Sequence, residues 1–182
     1  MSVFSIRASE LCWLGGEADD PEDRCLHGHV TVRIGDWTQE ADGTVSATAL
    51  YLLKTLTEDK VMSPGAIQMV PCCGHFLIAD EAGETVTILG CDTGLDWSVQ
   101  HRGGEILLTL PSGQQETVSR EAYRQEVLRF AQQVEAYYQS CTPKVLPEDP
   151  FTRKGYQTFW KEWHRRFSEA VHILAGEISE NG

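Results

Sequence analysis

The stretch Thr85-Val86-Thr87-Ile88-Leu89-Gly90-Cys91-Asp92-Thr93-Gly94-Leu95-Asp96-Trp97-Ser98-Val99-Gln100-His101-Arg102-Gly103-Gly104-Glu105-Ile106-Leu107-Leu108-Thr109-Leu110 decides the fold. It holds three candidate strands, residues 85–89, 95–101 and 105–110, rich in apolar and β-branched side chains. The gaps between them are short and carry glycine, which suits hairpins and tight turns. Parallel neighbours would need a crossover of about a dozen residues or more, so the segment predicts an antiparallel meander. Working outward, residues 66–70 and 75–80 precede it and a weaker piece at 116–118 follows. The separators Glu81-Ala82-Gly83-Glu84 and Pro111-Ser112-Gly113 have the same turn chemistry, which gives one sheet of about five to six strands.

Residues 25–34 add an alternating strand. Leu26, Val30, Val32 and Ile34 point one way, while Cys25, His27, His29, Thr31 and Arg33 point the other. Thr44 or Ser46 then opens a short helix to about Asp59, with Ala49, Leu52, Leu53 and Leu56 as its buried stripe. After Ser119, a plausible N-cap, Tyr123, Val127, Phe130, Val134 and Tyr137 recur at spacings of four and three, the mark of an amphipathic helix. A Pro-rich connector leads to a second helix, with Asp149 as cap, Pro150 as first residue and Gly176 as stop. The expected architecture is a single α+β domain over 1–182, sheet-forming to 118 and helical over 119–176, with both long helices packed on the sheet.

Composition sets outer limits. A chain of 182 residues with 41% hydrophobic content can bury about two-thirds of its unfolded surface in one core. No run of about 18 apolar residues is present, and Met1 to Arg7 lacks the pattern of a secretory signal, which places the protein in a cytoplasmic compartment. Six cysteines without such a signal are read as reduced thiols.

The formal net charge of −12 is concentrated in the first hundred residues, most sharply at Glu17, Asp19, Asp20, Glu22 and Asp23. Such a surface repels phosphate backbones and anionic lipid, which argues against nucleic-acid and membrane partners. It would instead steer a basic protein partner, for which Trp13, Trp37 and Trp97 are candidate anchors because they lie outside the helical stripes. The last helix carries the opposite sign, with Arg153, Lys154, Lys161, His164, Arg165 and Arg166 on its polar face. That face can complement the acidic half of the same molecule or of a second copy, as in a homo-oligomer.

Two short runs hold the densest chemistry: Cys25-Leu26-His27-Gly28-His29 and Pro71-Cys72-Cys73-Gly74-His75. Residues two apart on a strand share a face, so His27, His29, Cys73 and His75 are a candidate zinc set if the strands converge. The same cysteines, with a histidine as base and Asp92 or Asp96 as orienter, could serve nucleophilic catalysis. No family-specific signature surrounds them, and an inert half-buried role is the plainest reading.

The runs Cys25-Leu26-His27-Gly28, Pro71-Cys72-Cys73-Gly74-His75, Gly90 to Trp97, Pro143 to Asp149 and Phe159-Trp160-Lys161-Glu162-Trp163 resemble a family of uncharacterised bacterial proteins, to which we attach no activity. By size and charge the chain is also similar to the immunity proteins that neutralise bacterial toxins. That likeness implies a binding protein with no catalytic residues, an immunity or antitoxin-like inhibitor that docks a basic toxin domain. The alternatives are a zinc-binding protein or metal-dependent enzyme, and a cysteine-dependent hydrolase.

Overall fold

The structure, a computed structural model, describes residues 3–15, 19–74 and 76–180, with side chains to residue 173. It is α+β, with small antiparallel sheets and three helices. The first sheet is built from β1 (Phe4–Cys12), β2 (His27–Ile34) and β3 (Trp37–Thr44), in that spatial order. β2 alternates as its sequence dictates, with Gly28, Val30, Val32 and Ile34 buried and His27, His29, Thr31 and Arg33 on the other face. Gly35, at φ 58°, makes the tight turn into β3, a backbone region that side chains disfavour.

Helix α1 (Val45–Lys54) follows β3 directly. Its first free amides, from Val45 and Ser46, are capped by the Leu26 carbonyl at 2.8 and 3.3 Å, which fixes the helix to the entry of β2. It ends earlier than the sequence implied. The Thr55 hydroxyl turns back to the Leu52 carbonyl and meets the Tyr123 hydroxyl at 2.8 Å.

A single meander is not what forms. The strands beyond α1 divide into three further sheets: β4 (Val70–Pro71) with β7 (Gly94–Leu95), β5 (Phe76–Ala79) with β6 (Val86–Leu89), and β8 (Ser98–Arg102), β9 (Glu105–Thr109) and β10 (Gln115–Ser119) together. The strand read over 95–101 breaks because Asp96 turns inward. Its carboxylate pairs with the Lys60 ammonium and accepts the Met69 amide at 2.9 Å, while Trp97 beside it is wholly buried.

Helix α2 (Arg120–Ser140) starts where the Ser119 hydroxyl accepts the Ala122 amide. It covers the free edge of β1 with side chains four residues apart. Arg129 donates to the Ile6 carbonyl at 2.7 Å, Gln133 to Ala8 at 2.7 Å and Tyr137 to Leu11 at 3.1 Å. Four helical residues rise about 6 Å and two strand residues about 6.6 Å, so the two repeats stay in step. Past Ala8 the interval lengthens to three residues, across the register shift between Ser9 and Cys12 where Glu10 has φ 52°. An otherwise open strand edge is thereby occupied.

Helix α3 (Pro150–Glu180) runs through Gly176, past the stop expected there. Asp149 caps it, accepting the Thr152 amide and hydroxyl at 2.8 Å each. Its backbone packs against β5 at Gly155, where a Cβ would lie 2.0 Å from the Leu77 carbonyl oxygen. One hydrophobic cluster joins Phe4, Ile6 and Val32 of the first sheet, Leu50 and Leu53 of α1, Tyr123 and Phe130 of α2, and Phe159 and Trp163 of α3. Among the described residues, no helix is long and apolar enough to cross a membrane.

Candidate functional site

The pairs β4–β7 and β5–β6 belong to one long hairpin with an interruption. Val70 faces Leu95 and Pro71 faces Gly94 in the outer ladder, and Phe76 faces Leu89 in the inner one, so a single register runs through both. Across the interruption the Cys72 amide still reaches the Thr93 carbonyl at 3.0 Å. The arms approach so closely that a Cβ on Gly90 would lie 1.9 Å from the Cys73 carbonyl oxygen. This break brings Cys72 and Cys73 from one arm to Cys91 on the other.

The three sulfurs lie within 4.8 Å of one another, Cys72 exposed and the other two partly buried. Sγ of Cys72 and Cys91 are at bonding distance and form a disulfide. That corrects the expectation of six reduced thiols. The pairing runs diagonally across the break between residues 19 apart, since the register sets Cys72 opposite Thr93, and a cysteine count cannot show it. The Cys91 amide donates to the Cys73 sulfur at 3.2 Å, leaving Cys73 as the third, free sulfur of the group. With all three reduced, this cluster could bind a metal ion, since cysteine sulfurs are ligands for thiophilic cations.

Only part of the sequence-derived zinc set is placed there. Cys73 belongs to the group, and His75 lies outside the described residues. His27 and His29 share the outer face of β2. His29 meets Asp42 at 2.9 Å and Glu40 at 3.6 Å, and the hydrogen bond to Asp42 raises its pKa above the ordinary value. Among the described residues, the converging group of potential ligands is Cys72, Cys73 and Cys91, without those two histidines. Cys25, beside the break, donates its thiol to the Gly74 carbonyl at 3.4 Å, and burial pushes its pKa up to about 12. It stays protonated and unreactive. Asp96, proposed as an orienter for cysteine catalysis, is engaged by Lys60 and Met69 instead.

The acidic segment is also differently employed. Glu17 lies outside the described residues. Asp19 accepts the Thr142 amide and hydroxyl at 2.8 and 2.6 Å, and these bonds hold its carboxyl below the usual carboxylate range. Asp20 caps the Glu22 and Asp23 amides, and Asp23 accepts from Leu14 at 2.7 Å and from Cys25 at 2.9 Å. Lys144 donates to the Asp20 carbonyl and stands 3.0 Å above the Trp13 ring. The segment clasps the α2–α3 connector. Glu22 is exposed, but its three aspartates are turned to the chain's own donors. Trp13 and Trp97 are wholly buried and Trp37 partly so, which makes the first two core residues rather than surface anchors.

Part of the basic face of α3 closes on the first half of the chain, while Arg153, His164 and Arg165 bond Pro147, Glu135 and Glu169 in the second half. Lys161 pairs with Glu84 at 2.5 Å, Arg166 with Glu58, and Lys154 donates to the Asp80 and Glu81 carbonyls at 2.9 Å. Beneath them Glu162 is fully buried. It accepts the Val86 amide at 2.7 Å and pairs with Arg166 at 2.8 Å and Lys54 at 3.3 Å. A buried carboxylate needs such partners.

Sequence reasoning missed an apolar surface next to the break. Phe76 (57% exposed) and Leu89 (47%) face each other across β5–β6, and the ring of Phe151 (51%) lies 6.1 Å from that of Phe76. Behind them a crevice is lined by Cys25, Gly74, Leu77, Tyr156 and Phe159. The signal was the unbroken apolar run Phe76-Leu77-Ile78: a strand that alternates cannot bury both its faces in a two-stranded ribbon. No family model, curated protein or solved structure matches this chain.

Proposed function

We propose that the protein works by binding another protein, as an inhibitor of the immunity or antitoxin kind, and that its docking face is the apolar surface of Phe76, Leu89 and Phe151. Those exposed residues carry the reading. Contiguous exposed apolar groups mark interaction sites, and aromatic anchors supply a large share of interface energy. The net charge of −12 favours a basic partner, such as a toxin domain, by accelerating encounter rather than by local ion pairs. This moves the anchoring role away from Asp19, Asp20, Asp23, Trp13 and Trp97, whose side chains serve the fold. The test is capture from an extract of the source cells at low and high salt, with wild type beside Phe76→Ser/Phe151→Ser. We expect a basic protein held by the wild type, more weakly at high salt, and released by the double variant. Equal capture by both would sink the assignment.

A second reading, a zinc-binding protein, is favoured by the convergence of Cys72, Cys73 and Cys91. Its ligand set shares Cys73 with the sequence-derived set of His27, His29, Cys73 and His75.

A further inference from the structure

We propose that the hairpin break is a redox-gated metal site: with their thiols reduced, Cys72, Cys73 and Cys91 hold one thiophilic divalent cation of the zinc class, and closing the Cys72–Cys91 disulfide expels it. The inference rests on the zinc-binding reading and adds its ligands and its regulation.

The geometry is close to what the ion requires. Zinc–thiolate bonds of about 2.3 Å in a tetrahedron set the sulfurs about 3.8 Å apart. The three sulfurs already lie within 4.8 Å of one another, and reduction of the Cys72–Cys91 bond frees that pair to part to the ligand spacing. The backbone itself is fixed on both arms. Cys72 is tied to Thr93, and the close passage of Gly90 by Cys73 leaves no room for the arms to slide. The Cys91 amide aimed at the Cys73 sulfur supplies the outer hydrogen bond that orients a ligating group. Cys72 is exposed, so the ion has an entry path, and three protein ligands leave the fourth position to water.

The gate follows from shared sulfurs. A low-molecular-weight disulfide of the glutathione type takes two electrons from the Cys72 and Cys91 thiolates. Their S–S bond forms, the oxidant's S–S bond breaks, and two small thiolates leave. Cys73 is then the one ligand remaining, and a single thiolate does not retain the ion. Occupancy and oxidation thus exclude each other, and zinc in turn protects the pair from oxidation by the same linkage.

The experiment loads the 182-residue chain with zinc after reduction by a phosphine, or after oxidation by glutathione disulfide, and measures bound metal by elemental analysis following dialysis. We expect about one zinc per chain in the reduced protein and less than about a tenth of that in the oxidised protein. Cys73→Ser should weaken zinc binding about tenfold or more. The same variant should keep the wild-type circular dichroism and urea midpoint, which shows that it folds, and should still form the Cys72–Cys91 disulfide, located by mass spectrometry of its peptides. Zinc uptake by neither form would overturn the zinc reading and the inference with it. Equal uptake by reduced and oxidised protein would leave a metal protein but overturn the gate. Unchanged affinity in Cys73→Ser would overturn the ligand set.

Discussion

The acidic segment at 19–23 and the cysteine break at 72–73 and 91 are both loops dense in reactive groups, yet they use them in opposite ways. In the first, Asp19, Asp20 and Asp23 are absorbed by backbone amides and the Thr142 hydroxyl, and the loop becomes a clasp on the α2–α3 connector. In the second, Cys72 and Cys91 take each other as partners, and the Cys73 sulfur beside them stays free. The difference teaches that density of charge or of thiols does not locate function. What matters is whether each group's bonding capacity is spent within the chain. Aspartates in turns find amides two or three residues away, whereas a sulfur is a weak acceptor whose strongest partners are another sulfur or a metal.

The largest effect should come from prying the break apart. Gly90→Ala places a methyl group into the Cys73 carbonyl, and one arm must shift. We expect a loss of about 2–4 kcal/mol in urea unfolding, the range for severe backbone conflicts. Zinc uptake by the reduced protein should fall with it. A loss under about 0.5 kcal/mol would mean that the arms are not pinned there, and the contrast between a rigid break and a stapled loop would collapse. Asp23→Ala should cost less, about 1–2 kcal/mol, because the Leu14 and Cys25 amides lose a charged acceptor but remain near water. It should leave zinc uptake by the reduced protein unchanged, which separates the two loops in one pair of variants.

What was legible in the sequence was local. The caps at Ser119 and Asp149 each bond a group three residues on, and the alternation of β2 is written in its own side chains. β3 was not legible, since Thr38, Gln39, Glu40, Ala41 and Asp42 show no apolar alternation and become a strand through pairing with β2. The division of the meander was hidden for a similar reason, because the inward turn of Asp96 depends on Lys60 and Met69 from elsewhere in the chain. One half of the site is legible as a Cys-rich run, Pro71 to His75, which places Cys73 among the ligands. Cys91 lies in a segment that reads as a turn, and only the folded hairpin brings it to Cys72. Phe76 and Phe151 were invisible as a pair because they meet only when α3 lies against β5.

The smallest effect, and the finest division between the loops, is in their response to acid. The hydroxyl and amide of Thr142 bond the ionised Asp19 carboxylate, so its pKa is depressed in the folded state. A depressed carboxyl contributes stability that is complete above its unfolded value of about 3.9 and is lost as pH falls through the folded value. The clasp should therefore loosen in acid below the ordinary carboxylate range, without global unfolding, as a shift of the Thr142 amide resonance and faster exchange of its proton. Asp19→Asn should show the loosened signal already at neutral pH and lose the acid transition. The amide of Cys91 bonds a sulfur, not a carboxylate, so in oxidised protein its resonance should stay in place through the same range. Parallel movement of the two amides would mean that acid opens the fold as a whole, and that the clasp has no local equilibrium of its own.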